Sequence, residues 1–522
     1  MNKNHEKQSE QERFNYWYSQ MHTNNRLLSV GQLLQHATER NPHKTALLYE
    51  DRSITYAELY RHALLFSKTL IGRGVKPRDR ILIMIENSIE FYIAYFGILQ
   101  IGAVAVPLNT FLQSQEVTHV LQDCTPHCIV ISSHIQERLE PSLLQAIHCL
   151  IAEQELIQNN TTEEPDPSIH HQLDADELAV LLYTSGTTGT PKGIMLSSRN
   201  IMTNVAQSAV RISVTDQDRM FGLLPLFHSF AQSSSIWIPF FLNIIVIVVP
   251  KIDRRAISAG LSHNPTFFVG VPAVYGLLCL LRTVSFPTVR LFVSGGDALP
   301  DRIRIAFSLL YRRKICSGYG LTEASPVVTV CTDDIATATR LIGKPLAGIT
   351  CRIQDEQGKE VEQGTIGELC IKGDNVMLGY YNAPEMTAQV LHDGWLKTGD
   401  LAYQDEEENL YITGRIKDLI IHKGLNIYPP EIENIILLHP NSIRVGVIGQ
   451  ADTDTGQIPI AYVQVKAIYP NLTQELKQLC QKNLAAYKVP REFICSVEPL
   501  PMTATGKVNK KLLSGQHANH NQ

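Results

Sequence analysis

Tyr183-Thr-Ser-Gly-Thr-Thr-Gly-Thr-Pro-Lys-Gly193 packs five Ser and Thr hydroxyls, three glycines and a lysine into eleven residues. Glycines open backbone conformations closed to other residues and let amide N–H groups approach an anion, while the hydroxyls add donors and Lys192 adds charge. The stretch reads as a phosphate cradle. An apolar run from Leu178 to Tyr183 leads in, and a second, Ile194 to Leu196, leads out before Ser198, which is placed to cap a helix. The expected setting is strand, loop, strand. That separates it from the G-x-x-x-x-G-K-S/T loop, which opens directly onto a helix; neither Gly186 nor Gly189 has the required Gly-Lys-Ser/Thr. A flexible Gly/Thr linker is the plainer alternative, and the lysine, the proline and the flanking strands argue against it.

Working outward, short β-branched runs alternate with helical patterns, as in Arg80 to Ile85 followed by the periodic stretch Ile89 to Ile101. Further strands are expected at Cys128 to Ser132, Phe267 to Val271 and Val289 to Val293, which makes this α/β organisation. The polar stretch Glu153 to Asp176 reads as a surface connection between two sheets. Near residue 415 the texture changes: strands at Arg444 to Ile448 and Ile458 to Lys466 precede an amphipathic stretch, Leu472 to Tyr487, as in a small α+β unit. Thr413 to Asp418 suits a hinge.

With 522 residues and 44% apolar content the chain can fill several large cores, and a net charge of −5 gives no electrostatic reason to expect nucleic acid. The ten cysteines show no paired CxxC grouping and read as buried reduced thiols. A polar N-terminus without a signal-peptide core fits the same cytoplasmic setting. Ile236 to Val249 is almost wholly apolar, but Pro239 and Asn243 interrupt it and it falls short of the roughly 20 residues a spanning helix needs. It reads as a buried strand with a preceding turn. No transmembrane segment is expected, and peripheral contact with a membrane remains compatible.

Seven ordered segments then carry a resemblance: Tyr183 to Gly193, Pro225 to Ser229, Ser294 to Pro300, Ser317 to Glu323, Gly394 to Leu401, Gly414 to Asp418 and Pro501 to Lys507. In this set the chain resembles the adenylate-forming superfamily of acyl-CoA synthetases, carrier-protein-linked adenylation domains and firefly-type luciferases. The resemblance implies two steps, ATP-dependent formation of an acyl-adenylate with release of pyrophosphate, then thioester formation with release of AMP. It implies an α/β fold: a large N-terminal domain, residues 1–416, of two helix-covered β-sheets plus a distorted β-barrel, and a small mobile α+β C-terminal domain, residues 417–522. The hinge falls at Lys417, where many relatives have Asp and Lys is a known alternative.

The cofactors implied are ATP, Mg²⁺ and coenzyme A, the last as a substrate. Thr184, Ser185, Gly186, Thr187, Thr188, Gly189 and Lys192 would hold phosphate, with Thr184 and Glu323 serving the metal; a carboxylate is the hard ligand Mg²⁺ requires. Thr322 would donate to the α-phosphate, and Gly318, Tyr319 and Gly320 would wall the adenine. Gly295, Gly296 and Asp297 would line the adenine and acyl junction, and Asp400 and Arg415 the ribose. Lys507 would neutralise charge where a carboxylate meets the α-phosphate, delivered by domain closure. Lys510 and Lys511 match no motif and read as solvated. Gly424 would belong to the loop meeting the thiol, where His422-Lys423-Gly424-Leu425 departs from a common Ser-Gly-Gly form.

On the acyl side His228 resembles the gate residue of the pocket; a packed structural His is the alternative. Amino-acid-activating relatives place Asp in this segment, so an ammonium-bearing substrate is disfavoured. Relatives acting on acetate have Trp where this chain has Gly320, which implies an open channel, with Phe230, Val271 and Val327 as apolar neighbours. The reading is an ATP-dependent acyl-CoA synthetase for medium- to long-chain fatty acids. The runner-up is an acyl- or aryl-adenylate ligase that loads an acyl carrier protein. A non-catalytic scaffold would show erosion of Lys507, Glu323 or the loop lysine, and all three are present.

Overall fold

A computed structural model describes residues 9–23, 26–145, 147, 149–158, 171, 174–185, 191–281, 284–332, 340–423, 425–452, 455–503 and 507–514. Two mixed sheets dominate the first 330 residues. The seven-stranded sheet has a parallel centre, Val104–Pro107, Arg80–Met84 and Cys128–Ile131, and an antiparallel edge formed by Pro191–Ser197 and Gly379–Tyr380. The eight-stranded sheet runs parallel through Cys316–Gly320, Leu291–Ser294, Phe267–Gly270, Arg219–Gly222 and Ile245–Val248. The connection from Glu153 to Asp176 joins Leu150–Ala152 to Leu178–Ser185, two strands of one sheet, and not two sheets as its polarity implied.

Helix Ile89–Gln100 is apolar apart from Glu90 and Gln100 and is buried along its whole length. Its Tyr92 stacks on Phe240 at 5.7 Å, and Tyr95 accepts from Trp237 Nε1 at 2.9 Å while donating to Gln232 Oε1 at 3.1 Å. Those partners correct a sequence expectation: the apolar run from Ile236 begins in helix, with Ser233–Trp237 wound as a π-helix and Ile238–Leu242 as α-helix. Asn243, at φ 55°, turns the chain into strand Ile245–Val248. A continuous apolar run carries no period, so it cannot separate buried helix from buried strand.

A third, antiparallel sheet of six strands includes Gly367–Lys372, Trp395–Gln404 and Leu410–Arg415; this is the region expected as a distorted barrel. After a one-turn helix at Ile416–Asp418, a five-stranded sheet is built on the long hairpin Ser442–Asp452 and Gly456–Val465, packed by helices Pro429–Leu437 and Leu472–Asn483. Among the described residues no helix is long and apolar enough to cross a membrane. The ten cysteines are free thiols.

Candidate functional site

In a parallel sheet, ligands gather outside the carboxyl ends of the strands. Three strands of the eight-stranded sheet end here in sequence motifs: Phe267–Gly270 runs into Val271, Leu291–Ser294 into Gly295-Gly296-Asp297, and Cys316–Gly320 into Leu321-Thr322-Glu323. The phosphate-loop hairpin approaches from the other sheet. Its strands Leu178–Ser185 and Pro191–Ser197 are antiparallel, with Lys192 opposite Thr184 and Pro191 opposite Ser185. Gly186, Thr187, Thr188 and Gly189 lie outside the described residues. The helix that follows is capped by Ser197, one residue before the expected Ser198, because Asn200 closes a reciprocal capping box with Ser197.

The hairpin is tied to Glu323 by a residue that sequence reasoning missed. Lys192 Nζ lies 5.1 Å from the ring centroid of Tyr380, whose hydroxyl donates to Glu323 Oε1 at 3.0 Å. Strand Gly379–Tyr380 pairs with Ile194 and Met195, and Met377 N–H donates to the Glu323 carbonyl at 2.9 Å. The only sequence signal for Tyr380 is an aromatic after Gly379. A cavity of about 190 Å³ opens beside Glu323, Tyr380, Thr398 and Gly399, room for several waters.

Thr322 is buried, and its Oγ1 lies 3.0 Å from Ser229 Oγ, the first residue of a short helix that His228 caps. Burial, and then the charge of Lys507, lowers the His228 pKa to about 4, so the imidazole is neutral at ordinary pH. Thr503 N–H donates to the Lys507 carbonyl at 2.7 Å, and the Lys507 N–H donates to Thr503 Oγ1 at 3.1 Å.

Asp400 is almost fully buried, at 3% exposure. Its Oδ2 accepts from the Tyr319 hydroxyl at 2.7 Å, and its Oδ1 faces Arg415 Nε at 2.9 Å, on strands whose register places the two residues opposite each other. A carboxylate has about four lone-pair positions, of which these two contacts use two. Burial, then Asp400, pushes the Tyr319 pKa well up, and Asp400 raises that of Arg415. Burial lowers the pKa of Lys417, with Arg415 and Lys507 adding to the effect.

The other predicted residues divide. A Cβ on Gly295 would meet Phe230 Cζ at 2.9 Å, and one on Gly296, at φ 79°, would meet Val271 Cγ1 at 3.5 Å, so Phe230 and Val271 pack against this turn. Asp297 is exposed and accepts from the N–H of Ala298. A Cβ on Gly318 would touch Val293, whereas one on Gly320 would lie 2.1 Å from the Pro326 carbonyl oxygen. Gly320 therefore permits a close backbone approach, and the direction its missing side chain would take is filled by backbone and is not an open channel. Gly424 lies outside the described residues; of its neighbours, Lys423 is exposed at φ 52° and His422 Nδ1 lies 2.7 Å from the Gln457 carbonyl. Lys510, expected to be solvated, is largely covered: its Nζ meets Glu433 at 2.7 Å and Asp418 at 4.0 Å.

The AMP-binding enzyme family matches residues 34–381, and the AMP-binding enzyme C-terminal domain matches residues 431–507. The chain is 31% identical to a long-chain-fatty-acid–CoA ligase of Bacillus subtilis (strain 168), over 94% of each chain. It is also 31% identical to a 2-succinylbenzoate–CoA ligase of Bacillus mycoides (strain KBAB4), over 90% of this chain and 95% of that one. Its fold matches the o-succinylbenzoate coenzyme A synthetase of Bacillus subtilis, solved in complex with ATP and magnesium, with TM-score 0.84 and 29% identity over 92% of this chain and 99% of that one. The chain belongs to the AMP-binding enzyme family.

Proposed function

We propose that this AMP-forming acid–CoA ligase activates a medium- to long-chain fatty acid. In the first step a carboxylate oxygen bonds to the α-phosphorus of ATP and pyrophosphate leaves. In the second the sulfur of coenzyme A bonds to the acyl carbonyl carbon, AMP leaves, and the thiol proton passes to solvent. Both steps bring anions together, so catalysis rests on fixed positive charge and oriented donors.

Lys507 supplies charge where carboxylate and α-phosphate meet, and Thr322 donates to that phosphate. Asp400 uses its remaining acceptor positions for the ribose hydroxyls, with Arg415 beside it, and the face of Tyr319 lies against adenine. Mg²⁺ shared with phosphates needs only one or two carboxylates. Glu323 fits that demand, although among the described residues no three His, Cys, Asp or Glu side chains converge on a metal position. When bound, the ion supplies charge to the phosphates. Between the steps the small domain pivots at Lys417, exchanging Lys507 for the loop around Gly424.

The observation that carries the acyl reading is the wall formed by Phe230 and Val271 against Gly295 and Gly296, with Phe230 two residues along the chain from a half-buried His228 held neutral. It offers hydrocarbon contact and no fixed anion for an ammonium group. The likeness to a long-chain-fatty-acid–CoA ligase supports the same choice. The test is release of AMP and pyrophosphate across straight-chain acids from acetate to octadecanoate, with benzoate and 2-succinylbenzoate, with and without coenzyme A. A coenzyme-dependent maximum between octanoate and octadecanoate is expected; a maximum on an aryl acid would overturn the fatty-acid reading while leaving the ligase in place.

A further inference from the structure

We propose that the outer face of helices Pro272–Leu281 and Asp301–Tyr311 docks this enzyme on an anionic phospholipid bilayer. Single exposed apolar residues are ordinary on a protein surface, but here several gather on one helix pair. Leu280 is 80% exposed, Leu309 77%, Ile305 57% and Leu310 45%. Ile305 and Leu309 are four residues apart and share a helix face. The helix bearing Leu280 packs directly on theirs, as the Tyr311 hydroxyl donates to the Leu278 carbonyl at 2.6 Å. Core packing does not explain the four, because the inner side of the pair is already filled by Tyr275, Leu278 and Phe307, all fully buried.

Charge identifies the occupant. From 302 to 314 the chain carries Arg302, Arg304, Arg312, Arg313 and Lys314 and no acidic residue, within a protein of net charge −5. Arg302 is turned onto the carbonyls of Ser442 and Ile443, and Arg304 pairs with Asp301, so the outward charge lies at the far end of the helix. There Arg312, at φ 52°, ends the helix, and Arg312, Arg313 and Lys314 are exposed directly after Leu309 and Leu310. Leucines that enter the acyl boundary, followed at once by cations at phosphate level, make the pattern of an interfacial helix. A second copy of this face would bring the same arginines together, and nucleic acid would have no use for the leucines. The C-terminal domain meets this helix at its first turn, where Arg302 reaches the carbonyls of Ser442 and Ile443. The proposal does not depend on which acid is activated.

The full-length protein should be sedimented with vesicles of phosphatidylcholine alone and with one-third phosphatidylglycerol, at low and high salt. Partition onto the phosphatidylglycerol vesicles at low salt is expected, with loss at high salt. Arg312→Gln with Arg313→Gln should reduce it about twenty-five-fold, at about a factor of five per charge near the surface. Leu280→Gln with Leu309→Gln should reduce it at least about ten-fold, while turnover of soluble octanoate and the melting temperature stay unchanged. Equal partition of wild type and both double variants, or no preference for the anionic vesicles, would overturn the proposal. So would a wild-type dimer that Leu309→Gln dissolves, or a thioester step lost in that variant on octanoate, since these would assign the face to a second copy or to the rotated C-terminal domain.

Discussion

Lys507, on the small C-terminal domain, lies near enough to His228, on the large one, for its charge to add to burial in holding that imidazole at a pKa of about 4. In the proposed mechanism this is the arrangement suited to the first half-reaction. Unfolded, His228 takes up a proton near pH 6.5; folded, it does so only near 4. The native state binds fewer protons across that window, so this group costs stability as pH falls through it. Lys507→Ala should raise the His228 pKa, read by NMR titration of labelled histidine. An unchanged titration would mean that the two side chains are apart in solution.

Asp400 holds Tyr319 and Arg415 together. Asp400→Asn keeps the shape and removes the charge that anchors Arg415. We expect KM for ATP to rise about ten-fold with kcat changed less, the pattern of a lost ground-state contact. Initial rates against ATP concentration, at saturating acid and coenzyme, check this; a fall in kcat alone would place Asp400 in the chemical step.

Gly320 cannot be used to shorten the acyl pocket, since even a methyl group there meets the Pro326 carbonyl. Gly320→Trp should lower the melting temperature and activity on every acid alike. Gly295→Ala presses instead on the ring of Phe230, which can move, and should shift preference among chain lengths. A reversed pattern in a chain-length profile of the two variants would place the pocket elsewhere.

Lys510, three residues after Lys507, joins Glu433 on helix Pro429–Leu437 to Asp418 in the one-turn helix Ile416–Asp418. Burial opposes its charge, and the two carboxylates outweigh that and raise its pKa. Lys510→Met leaves both carboxylates without their cation and should cost about 2 kcal/mol, between the values for surface and fully buried pairs. Lys510→Arg should recover most of that loss. Denaturant unfolding measures it, and a stability equal to wild type in the Met variant would show a solvated pair.

What the sequence made legible was local. The hairpin around Lys192 and the strand ends carrying Gly295 and Thr322 follow from short motifs and their flanking strands, whereas the ion pair of Asp400 with Arg415 comes only from the strand register. Tyr380 was not legible, because its bond to Glu323 spans 57 residues and depends on an edge strand of only two residues. The same limit hid Lys510, whose carboxylates come from another helix and from the hinge. Helix Ser229–Gln232 and the π-turn after it escaped notice because their polar residues, Gln232 to Ser235, are buried, whereas a serine cluster in sequence reads as loop. Gly320 misled in the opposite way: a missing side chain looks like space until the Pro326 backbone is seen filling it.

The central claim is that Lys507 serves adenylate formation and leaves the site for thioester formation. Separate half-reactions of Lys507→Ala test it: acid-dependent ATP–pyrophosphate exchange, and coenzyme-dependent AMP release from supplied acyl-adenylate. The account predicts exchange reduced by about 10² to 10³, the usual cost of losing one such electrostatic contact, with thioester formation within about two-fold of wild type. Equal loss in both half-reactions, or exchange left intact, would contradict it.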